Sequence, residues 1–250
     1  MNDVKTGFLV PVYNHGKTAL SLAKDLDTFD MPIILVDDGS NDETKSYLQR
    51  SCTLYKNCIL ITQKKNCGKG AAINAGIDKA HCLNLSHVLQ IDADGQHDFN
   101  RAIFFLSEAL KNPQALICGY PEYDETVPQI RKKGRVIANT WTKIVTLDYN
   151  ITDSMCGFRV YPVEPTRAVM RNFFIDKRMG FDIEILVRLV WKNTPTIFYP
   201  VSVTYPHDGT SNFHFVRDNI RISLVFTRLF FGMILRLPIL LSRKMQRCKN

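Results

Sequence analysis

The first half of the chain alternates between short apolar runs and longer stretches in which apolar residues recur every three or four positions. Short apolar runs bounded by polar residues predict buried strands, whereas the recurring pattern predicts helices. The predicted strands cover residues 7–12, 32–36, 58–62 and 87–91, and the predicted helices cover about 17–27, 41–50 and 70–80. Strands that alternate with helices indicate right-handed crossovers, so we expect an α/β fold with a mainly parallel central sheet flanked by helices.

The second half of the chain is less regular. Residues 120–135 are polar and contain two prolines, which favours a loop, and helical character returns over 136–145. Residues 151–205 mix short strands with one strongly apolar helix over 181–191. No repeat or linker interrupts this pattern, so we expect one α/β core rather than two domains.

A strongly apolar run over residues 222–241 has about the length of a membrane span. Arg228 and Arg236 interrupt it, and each arginine costs roughly 2.5–3.5 kcal/mol near the centre of a bilayer. Pro238 is expected to break a helix. An amphipathic helix at the membrane surface, with its arginines at anionic headgroups, therefore fits better than a spanning helix. A helix packed on the domain core is the other alternative.

The net charge of +8 is concentrated in the same region, because residues 217–250 contain eight basic residues and one acid. A nucleic-acid-binding protein that is basic throughout spreads its positive charge over the fold, so this local distribution argues against a nucleic-acid partner. Basic residues beside an apolar run favour contact with an anionic membrane. We therefore divide the chain into a catalytic domain over 1–216 and a basic, amphipathic, membrane-associating tail over 217–250.

The cysteines and the first residues bear on the compartment. Seven cysteines are irregularly spaced, with no CxxC pair or zinc-type cluster, which favours reduced thiols. The first residues lack the basic segment and apolar run of a signal peptide. We expect a cytoplasmic protein that is peripheral on the inner face of the cell membrane.

Two acidic clusters follow predicted strands. Asp37 and Asp38 end the second strand, and Asp92 and Asp94 come directly after the fourth. In open α/β sheets ligands bind beyond the carboxyl ends of the strands, so both clusters are expected to line one crevice. Carboxylates one residue apart suit a hard cation that also binds phosphate oxygens and water, and Gln96 stands close enough to add a ligand.

A glycine-rich segment, Asn66-x-Gly68-Lys69-Gly70, precedes the third predicted helix. Backbone N–H groups at such a turn bind phosphate, and a tight turn with no ligand is the alternative. The spacing of a P-loop is missing, and the glycines do not follow the first strand as a dinucleotide-binding fingerprint requires.

These motifs together resemble family 2 glycosyltransferases, near the dolichyl-phosphate mannose synthase branch. They stand in the order Pro11-Val12-Tyr13-Asn14, Asp37-Asp38-Gly39-Ser40, Asn66-x-Gly68-Lys69-Gly70 and Asp92-Ala93-Asp94-Gly95-Gln96-His97. The similarity continues through Ser154-x-Cys156-Gly157-Phe158-Arg159 and covers roughly residues 6–215.

The resemblance implies a GT-A fold, a UDP- or GDP-linked sugar donor, inversion at the anomeric carbon and a role in building membrane glycolipids. It also implies that Asp94 and Gln96 hold Mg²⁺ or Mn²⁺. Asp37 is expected to read the nucleotide base. The implied donor-binding residues are Pro11, Tyr13, Asn14, Asp37, Asp38, Lys69, Asp92, Ala93, Arg131 and Arg135.

The acceptor side is expected near Asp182 and Glu184, at the start of the 181–191 helix. Residues two apart on a helix point in nearly opposite directions, so one carboxylate at most faces the site. We expect Asp182 to be the general base and Glu184 to be structural, although both acids also suit a helix N-terminus. Pro206 and Asn212 replace two cations that the synthases usually carry, which favours a hydroxyl acceptor, lipid-linked or otherwise at the membrane surface, over a polyprenyl phosphate.

Two other functions are compatible with parts of the sequence. A sugar-phosphate nucleotidyltransferase is also α/β and metal-dependent, but it needs a glycine- and arginine-rich loop directly after the first strand, where this chain has Pro11. A membrane-binding module without catalysis explains the tail but leaves the acidic clusters without a role.

Overall fold

The computed structural model describes residues 5–95, 99–123, 129–203 and 214–247. The strands are β1 (Thr6–Val12), β2 (Ile33–Asp37), β3 (Cys58–Thr62), β4 (His87–Gln90), β5 (Leu116–Tyr123), β6 (Arg159–Pro162) and β7 (Thr196–Val203). The α-helices are α1 (Gly16–Asp27), α2 (Asp42–Leu54), α3 (Lys69–Cys82), α4 (Ala102–Lys111), α5 (Gln129–Thr146), α6 (Val163–Asn172), α7 (Phe181–Trp191) and α8 (Phe215–Arg247), and a 3₁₀ turn covers Phe99–Arg101.

The strands form one sheet of seven in the order β3-β2-β1-β4-β6-β5-β7. The pairs β1–β2, β1–β4, β2–β3 and β5–β7 are parallel, and β6 is antiparallel to both of its neighbours. The mainly parallel α/β sheet predicted from the sequence is confirmed. Since β6 runs against β4, it begins at the edge where β4 ends, and Gln90 pairs with Arg159 there.

Alternate side chains of the central strands enter two cores on opposite faces of the sheet. Phe8 and Leu35 lie in the core under α1, α2 and α4, while Leu9 and Ile34 lie in the core under α3, α6 and α7. All five residues of β2 are buried, as expected for a parallel strand covered on both faces.

The structure corrects the prediction for residues 120–135. Strand β5 continues to Tyr123, and α5 begins at Gln129 rather than near residue 136. β5 gains its length by pairing with all eight residues of β7, a partner about 80 positions away that local pattern does not reveal. Pro121 is tolerated because β6 pairs only with Ile117 and Cys118, so β5 is bonded on one side at the proline.

Helix α8 is continuous through Pro238, so the expected break there is wrong. The proline removes one helical hydrogen bond, but Leu229, Met233 and Leu240 on either side of it are buried in a third core cluster. That cluster also contains residues of α5 and α7, so the first part of the tail shares a core with the catalytic domain.

By length and composition, Val216–Gln246 is apolar enough to cross a membrane. An apolar window within this stretch is only 28% buried, which distinguishes α8 from the core helix of a soluble protein. Its open face carries large apolar side chains at a spacing of four or seven residues. These are Val216, Ile220, Leu224, Phe231, Leu235 and Ile239.

Two arginines expected at lipid headgroups lie against the domain instead. Arg228 bonds to the carboxylate of buried Glu184 and stacks over Phe174. The guanidinium of Arg236 lies 4.7 Å from the ring centre of Trp191. Glu184 and Trp191 both lie on α7, which is distant in sequence, so the pattern of residues 222–241 did not predict these contacts.

Candidate active site

The carboxyl edge of the sheet gathers acidic residues from three elements. Asp37 ends β2 beside Val12, the last residue of β1. Asp92 follows β4, and Asp182 lies in the first turn of α7. The edge therefore unites the two acidic clusters with a carboxylate from the second half of the chain.

Lys69 joins two of these carboxylates. Its Nζ lies 2.9 Å from Asp92 Oδ2 and 2.9 Å from Asp182 Oδ2, the latter 113 positions away. Burial by itself lowers the pKa of the Lys69 amine, but the charges of Asp182 and Asp92 outweigh burial and raise that pKa well above its ordinary value. The lysine is thus a permanent cation at the centre of the site.

Gly157 allows this bridge to form. A Cβ at Gly157 would lie 2.4 Å from Asp92 Oδ2 and 2.7 Å from Lys69 Nζ, so any other residue would displace the two bridged side chains. The sequence pattern included Gly157 in a motif without a role for it, because the contact depends on β6 beginning at the end of β4.

Arg159 holds the backbone of Asp182 in place. This fully buried guanidinium donates to the Asp182 carbonyl at 2.6 Å and to the Ser154 carbonyl at 2.8 Å. Asp182 Oδ1 is buried and finds no hydrogen-bond partner among the described residues. A held carboxylate with one unused oxygen is able to accept a proton or a hydrogen bond from a ligand. No positioning role for Arg159 was predicted from the sequence, although Arg159 is the last residue of the motif over 154–159.

Glu184 points away from the site, into the α7–α8 contact. Its carboxylate is fully buried and accepts hydrogen bonds from Arg188, Arg228 and the backbone N–H of Asp176. Of the two acids at the start of α7, only Asp182 reaches Lys69 and Asp92.

The two residues of the Asp37–Asp38 pair have different surroundings. Asp38 accepts hydrogen bonds from the N–H groups of Cys67 and Gly68, at 2.7 and 2.8 Å, and burial raises its pKa. Its oxygens fix the glycine-rich turn. Asp37 Oδ1 accepts from the Ser40 N–H at 2.8 Å, while its buried Oδ2 has no partner in the described part of the chain. Asp37 therefore keeps one carboxylate oxygen that is able to accept a further hydrogen bond.

The glycine-rich turn packs against the segment before α7. At Gly68, with φ of +99°, a Cβ would lie 2.2 Å from the Lys177 carbonyl oxygen, and Arg178 donates to the Asn66 side chain at 2.9 Å. This packing holds Lys69 at the start of α3 in reach of Asp182.

Other predicted donor-site residues lie around the same edge. Pro11 of β1 pairs with Val36 of β2. Asn14 Oδ1 accepts a hydrogen bond from the Asn41 N–H at 3.0 Å. The Ala93 carbonyl accepts from Thr18 Oγ1 at 2.6 Å, which ties α1 to the turn that carries Asp94. Tyr13 is half-buried directly after β1.

Arg135 lies on α5, where its Nε is 3.3 Å from Oδ2 of buried Asp153. The expectation of Arg135 at the diphosphate therefore competes with an ion pair inside the protein. Arg131 lies one turn earlier on α5, and its side chain is outside the described part of the structure, as is Gln96.

The charges at this edge suit a divalent cation. The carboxylates of Asp92 and Asp182 both contact the ammonium of Lys69, and Asp94 stands two residues after Asp92. Acidic side chains therefore outnumber the ammonium among these four residues, which favours a further cation. Within residues 5–95, 99–123, 129–203 and 214–247, no three acidic, histidine or cysteine side chains cluster as a complete metal site. This fits Mg²⁺-type binding, in which one or two carboxylates share the ion with substrate phosphates and water.

Comparison with known proteins agrees with this arrangement. A model described as glycosyl transferase family 2 matches residues 8–170. The chain is 30% identical to a dolichyl-phosphate beta-glucosyltransferase of Dictyostelium discoideum, over 89% of this chain and 75% of the relative. It is 26% identical to a UDP-N-acetylglucosamine–dolichyl-phosphate N-acetylglucosaminyltransferase of Methanococcus voltae, over 64% of this chain and 70% of that relative.

Among solved structures, the fold matches glucosyl-3-phosphoglycerate synthase from Mycobacterium tuberculosis, which was crystallised with Mn²⁺, UDP-glucose and phosphoglyceric acid. The TM-score is 0.60 at 13% identity, over 93% of this chain and 79% of that chain. A likeness at this level of identity extends to the fold alone.

Proposed function

Because the chain belongs to glycosyl transferase family 2 and has the GT-A fold, as its motifs predict, we propose that it transfers a hexose from a UDP-sugar to the phosphate of a dolichyl-type lipid. That it is a nucleotide-sugar hexosyltransferase follows from the family. The observation that carries the finer proposal is the bridge from Asp92 through Lys69 to Asp182, at the sheet edge where such folds bind ligands.

The donor is proposed to lie between the ends of β1, β2 and β4. The free oxygen of Asp37 is an acceptor for an N–H of the base, and Asp92 lies on the path from the nucleoside to the diphosphate. Glucose and N-acetylglucosamine are the favoured sugars, because the two relatives are named for them.

Asp94, together with Gln96, would hold Mg²⁺ or Mn²⁺. The ion, when bound, neutralises charge on the departing nucleoside diphosphate. The fold neighbour was crystallised with Mn²⁺ and UDP-glucose, which supports this choice of metal and donor.

The acceptor is proposed to approach from the side of Asp182. An acceptor phosphate oxygen forms a bond to the anomeric carbon while the bond from that carbon to the diphosphate oxygen breaks, and UDP leaves with the electron pair. The new bond lies on the opposite face of the sugar, so the configuration inverts. Asp182 takes a proton only from an acceptor phosphate that is still singly protonated.

This proposal replaces the hydroxyl acceptor that the sequence favoured. The expectation rested on Pro206 and Asn212, which lie outside the described residues, whereas both curated relatives are named for dolichyl phosphate. Lys69, which contacts Asp182, also supplies a cation near the proposed acceptor position, and the expectation based on Pro206 and Asn212 did not include it.

The donor part of this proposal is tested by incubating the full chain with Mn²⁺, dolichyl phosphate and labelled UDP-glucose, UDP-N-acetylglucosamine or GDP-mannose in detergent. We expect lipid-extractable label from a UDP-sugar and at least tenfold less from GDP-mannose. Label from GDP-mannose alone would overturn the assignment of the base.

We also propose that the protein sits on the membrane through a surface formed by two helices, not by the tail alone. Trp141 on α5 is 41% exposed and packs beside Phe226 and Phe230 of α8, with ring centres 6.4 Å apart in both pairs. Val136 and Ile137 extend the same apolar face of α5. We call the exposed apolar residues of α5 and α8 the two-helix surface.

The two-helix surface predicts a spectroscopic result. On addition of anionic vesicles, Trp141 emission should shift to shorter wavelength, because its ring leaves water for the headgroup boundary. A Trp191→Phe background isolates this signal, since the chain has two tryptophans. Salt should weaken binding only in part, because apolar burial survives screening.

Leu235→Ser, at a side chain that is 81% exposed, should weaken vesicle binding, whereas Leu54→Ser on α2 should not. Equal behaviour of the two variants, or an unchanged Trp141 spectrum, would contradict the two-helix surface.

A further inference from the structure

A cationic pocket lies between the end of α7 and the second half of α8. It has a volume of about 220 Å³ and is lined by both basic and aromatic side chains. The residues around it are Phe173, Arg188, Trp191, Lys192, Arg236, Ile239, Leu240 and Arg243. Because α7 rises about 1.5 Å per residue, its pocket end is roughly 15 Å from the Asp182 end. The pocket is therefore separate from the candidate active site.

Among the described residues, few acidic side chains balance the positive charge of this pocket. Arg188 shares the carboxylate of Glu184. In contrast, Lys192, Arg236 and Arg243 form no salt bridge with an acidic side chain in the described part of the chain. Three cations without a carboxylate partner among the described residues converge on one cavity, and the positive potential that they create there favours an anion.

The aromatic residues and backbone fix these cations in place. Arg243 donates to the Trp191 carbonyl at 2.8 Å, which caps the end of α7. Arg236 lies 4.7 Å from the Trp191 ring centre, and Lys192 Nζ lies 5.2 Å from that of Phe173. One cation is enough to cap a helix C-terminus, so neither Lys192 nor Arg236 is needed for that role.

We propose that this pocket binds the phosphate group of an anionic membrane lipid. Guanidinium and ammonium groups that converge on one point suit the oxygens of a phosphate. Ile239 lines the pocket and is 56% exposed, so it connects the pocket with the apolar face of α8. A ligand with a phosphate head and an apolar body matches both parts. The inference does not depend on which sugar or acceptor the enzyme uses.

Trp191 fluorescence reports on ligand binding in the pocket. In full-length protein with Trp141→Phe, Trp191 is the only tryptophan and lines the pocket. Its emission is followed during titration with phosphatidylcholine vesicles, with the same vesicles containing phosphatidic acid, and with soluble glycerol 3-phosphate against glycerol. We expect a saturable change with phosphatidic acid and none with phosphatidylcholine alone.

Lys192→Gln should weaken the response to phosphatidic acid about fivefold, the effect of one basic residue near an anionic surface. Arg50→Gln removes the same charge from α2, on the other face of the sheet, and is the matched control. Arg236→Gln provides a second pocket variant. Thermal unfolding and donor turnover in detergent should stay at wild-type levels for Lys192→Gln, because Lys192 is exposed and distant from the site.

A response confined to vesicles identifies a lipid headgroup as the ligand. Saturation by glycerol 3-phosphate alone would support a phosphate site that takes a soluble compound. The proposal is overturned if neither probe changes Trp191 emission, or if Lys192→Gln and Arg50→Gln weaken the response equally.

Discussion

Replacing Asp94 with asparagine should lower hexose transfer roughly 10²–10³-fold, the usual loss when one preorganised electrostatic contact to the transition state is removed. Asparagine keeps the size of the side chain but removes the negative charge that a divalent cation needs. Asp94 lies in the turn after β4 and is only half-buried, so the fold should be unaffected. The measurement is kcat/KM for the UDP-sugar across a range of Mn²⁺ concentrations.

Added Mn²⁺ should restore part of the activity of Asp94→Asn, because the weaker site fills at higher concentration. Asp42→Asn serves as the control, since its fully exposed carboxylate lies at the start of α2. If Asp94→Asn retains wild-type activity that a chelator still abolishes, the metal is held by other residues.

Replacing Asp182 with asparagine should have an effect that depends on pH. A phosphate monoester loses its second proton with a pKa of about 6, so about one tenth of a phosphate acceptor is fully ionised at pH 5. This dianion is the stronger nucleophile and gains nothing from a base, whereas attack by the monoanion is helped by one. Transfer by Asp182→Asn should therefore be about tenfold below wild type at pH 5 and close to wild type at pH 8. The pH profiles of both proteins, with dolichyl phosphate as acceptor, provide the measurement.

A loss of about 10²–10⁴-fold at every pH is the contrasting result, because a hydroxyl acceptor needs the base throughout this range. Glu184→Gln is the comparison variant. It leaves Arg188 and Arg228 without their carboxylate, so we expect a lower melting temperature with no such dependence of transfer on pH. A pH-dependent loss for Glu184→Gln and none for Asp182→Asn would reverse the two roles.

The sequence predicted those features that depend on neighbouring residues. The four parallel strands of the first half lie within about a residue of their expected bounds. A local contact also fixes the start of α2, because Asn41 accepts a hydrogen bond from the Thr44 N–H at 2.9 Å. Helix α7 has the predicted bounds because its apolar residues fill all its faces, as a fully buried helix requires.

Features that depend on distant contacts were not predictable from the sequence. Lys69 was expected at the donor, but its bond to Asp182 joins residues 113 positions apart. The role of Gly157 depends on β6 entering the sheet antiparallel beside β4. In both cases the tertiary fold places the side chains, and no local period indicates the contact.

The packing of the tail also depends on distant contacts. Its length, charge and apolar content indicated a surface-seeking helix, and α8 does present a long exposed apolar face. The sequence did not show which face packs inward. Arg228 was assigned to lipid because Glu184, its actual partner, is 44 positions away and looked like an ordinary acid at a helix start.

The most direct test of the proposed function compares two acceptors that differ only in the phosphate. The full-length protein is supplied with Mn²⁺, labelled UDP-glucose or UDP-N-acetylglucosamine, and either dolichyl phosphate or dolichol in the same detergent. We expect a labelled lipid with dolichyl phosphate, a phosphodiester whose sugar is inverted at the anomeric carbon, and none with dolichol. Transfer to dolichol, or donor turnover with no lipid product from dolichyl phosphate, would contradict the proposal.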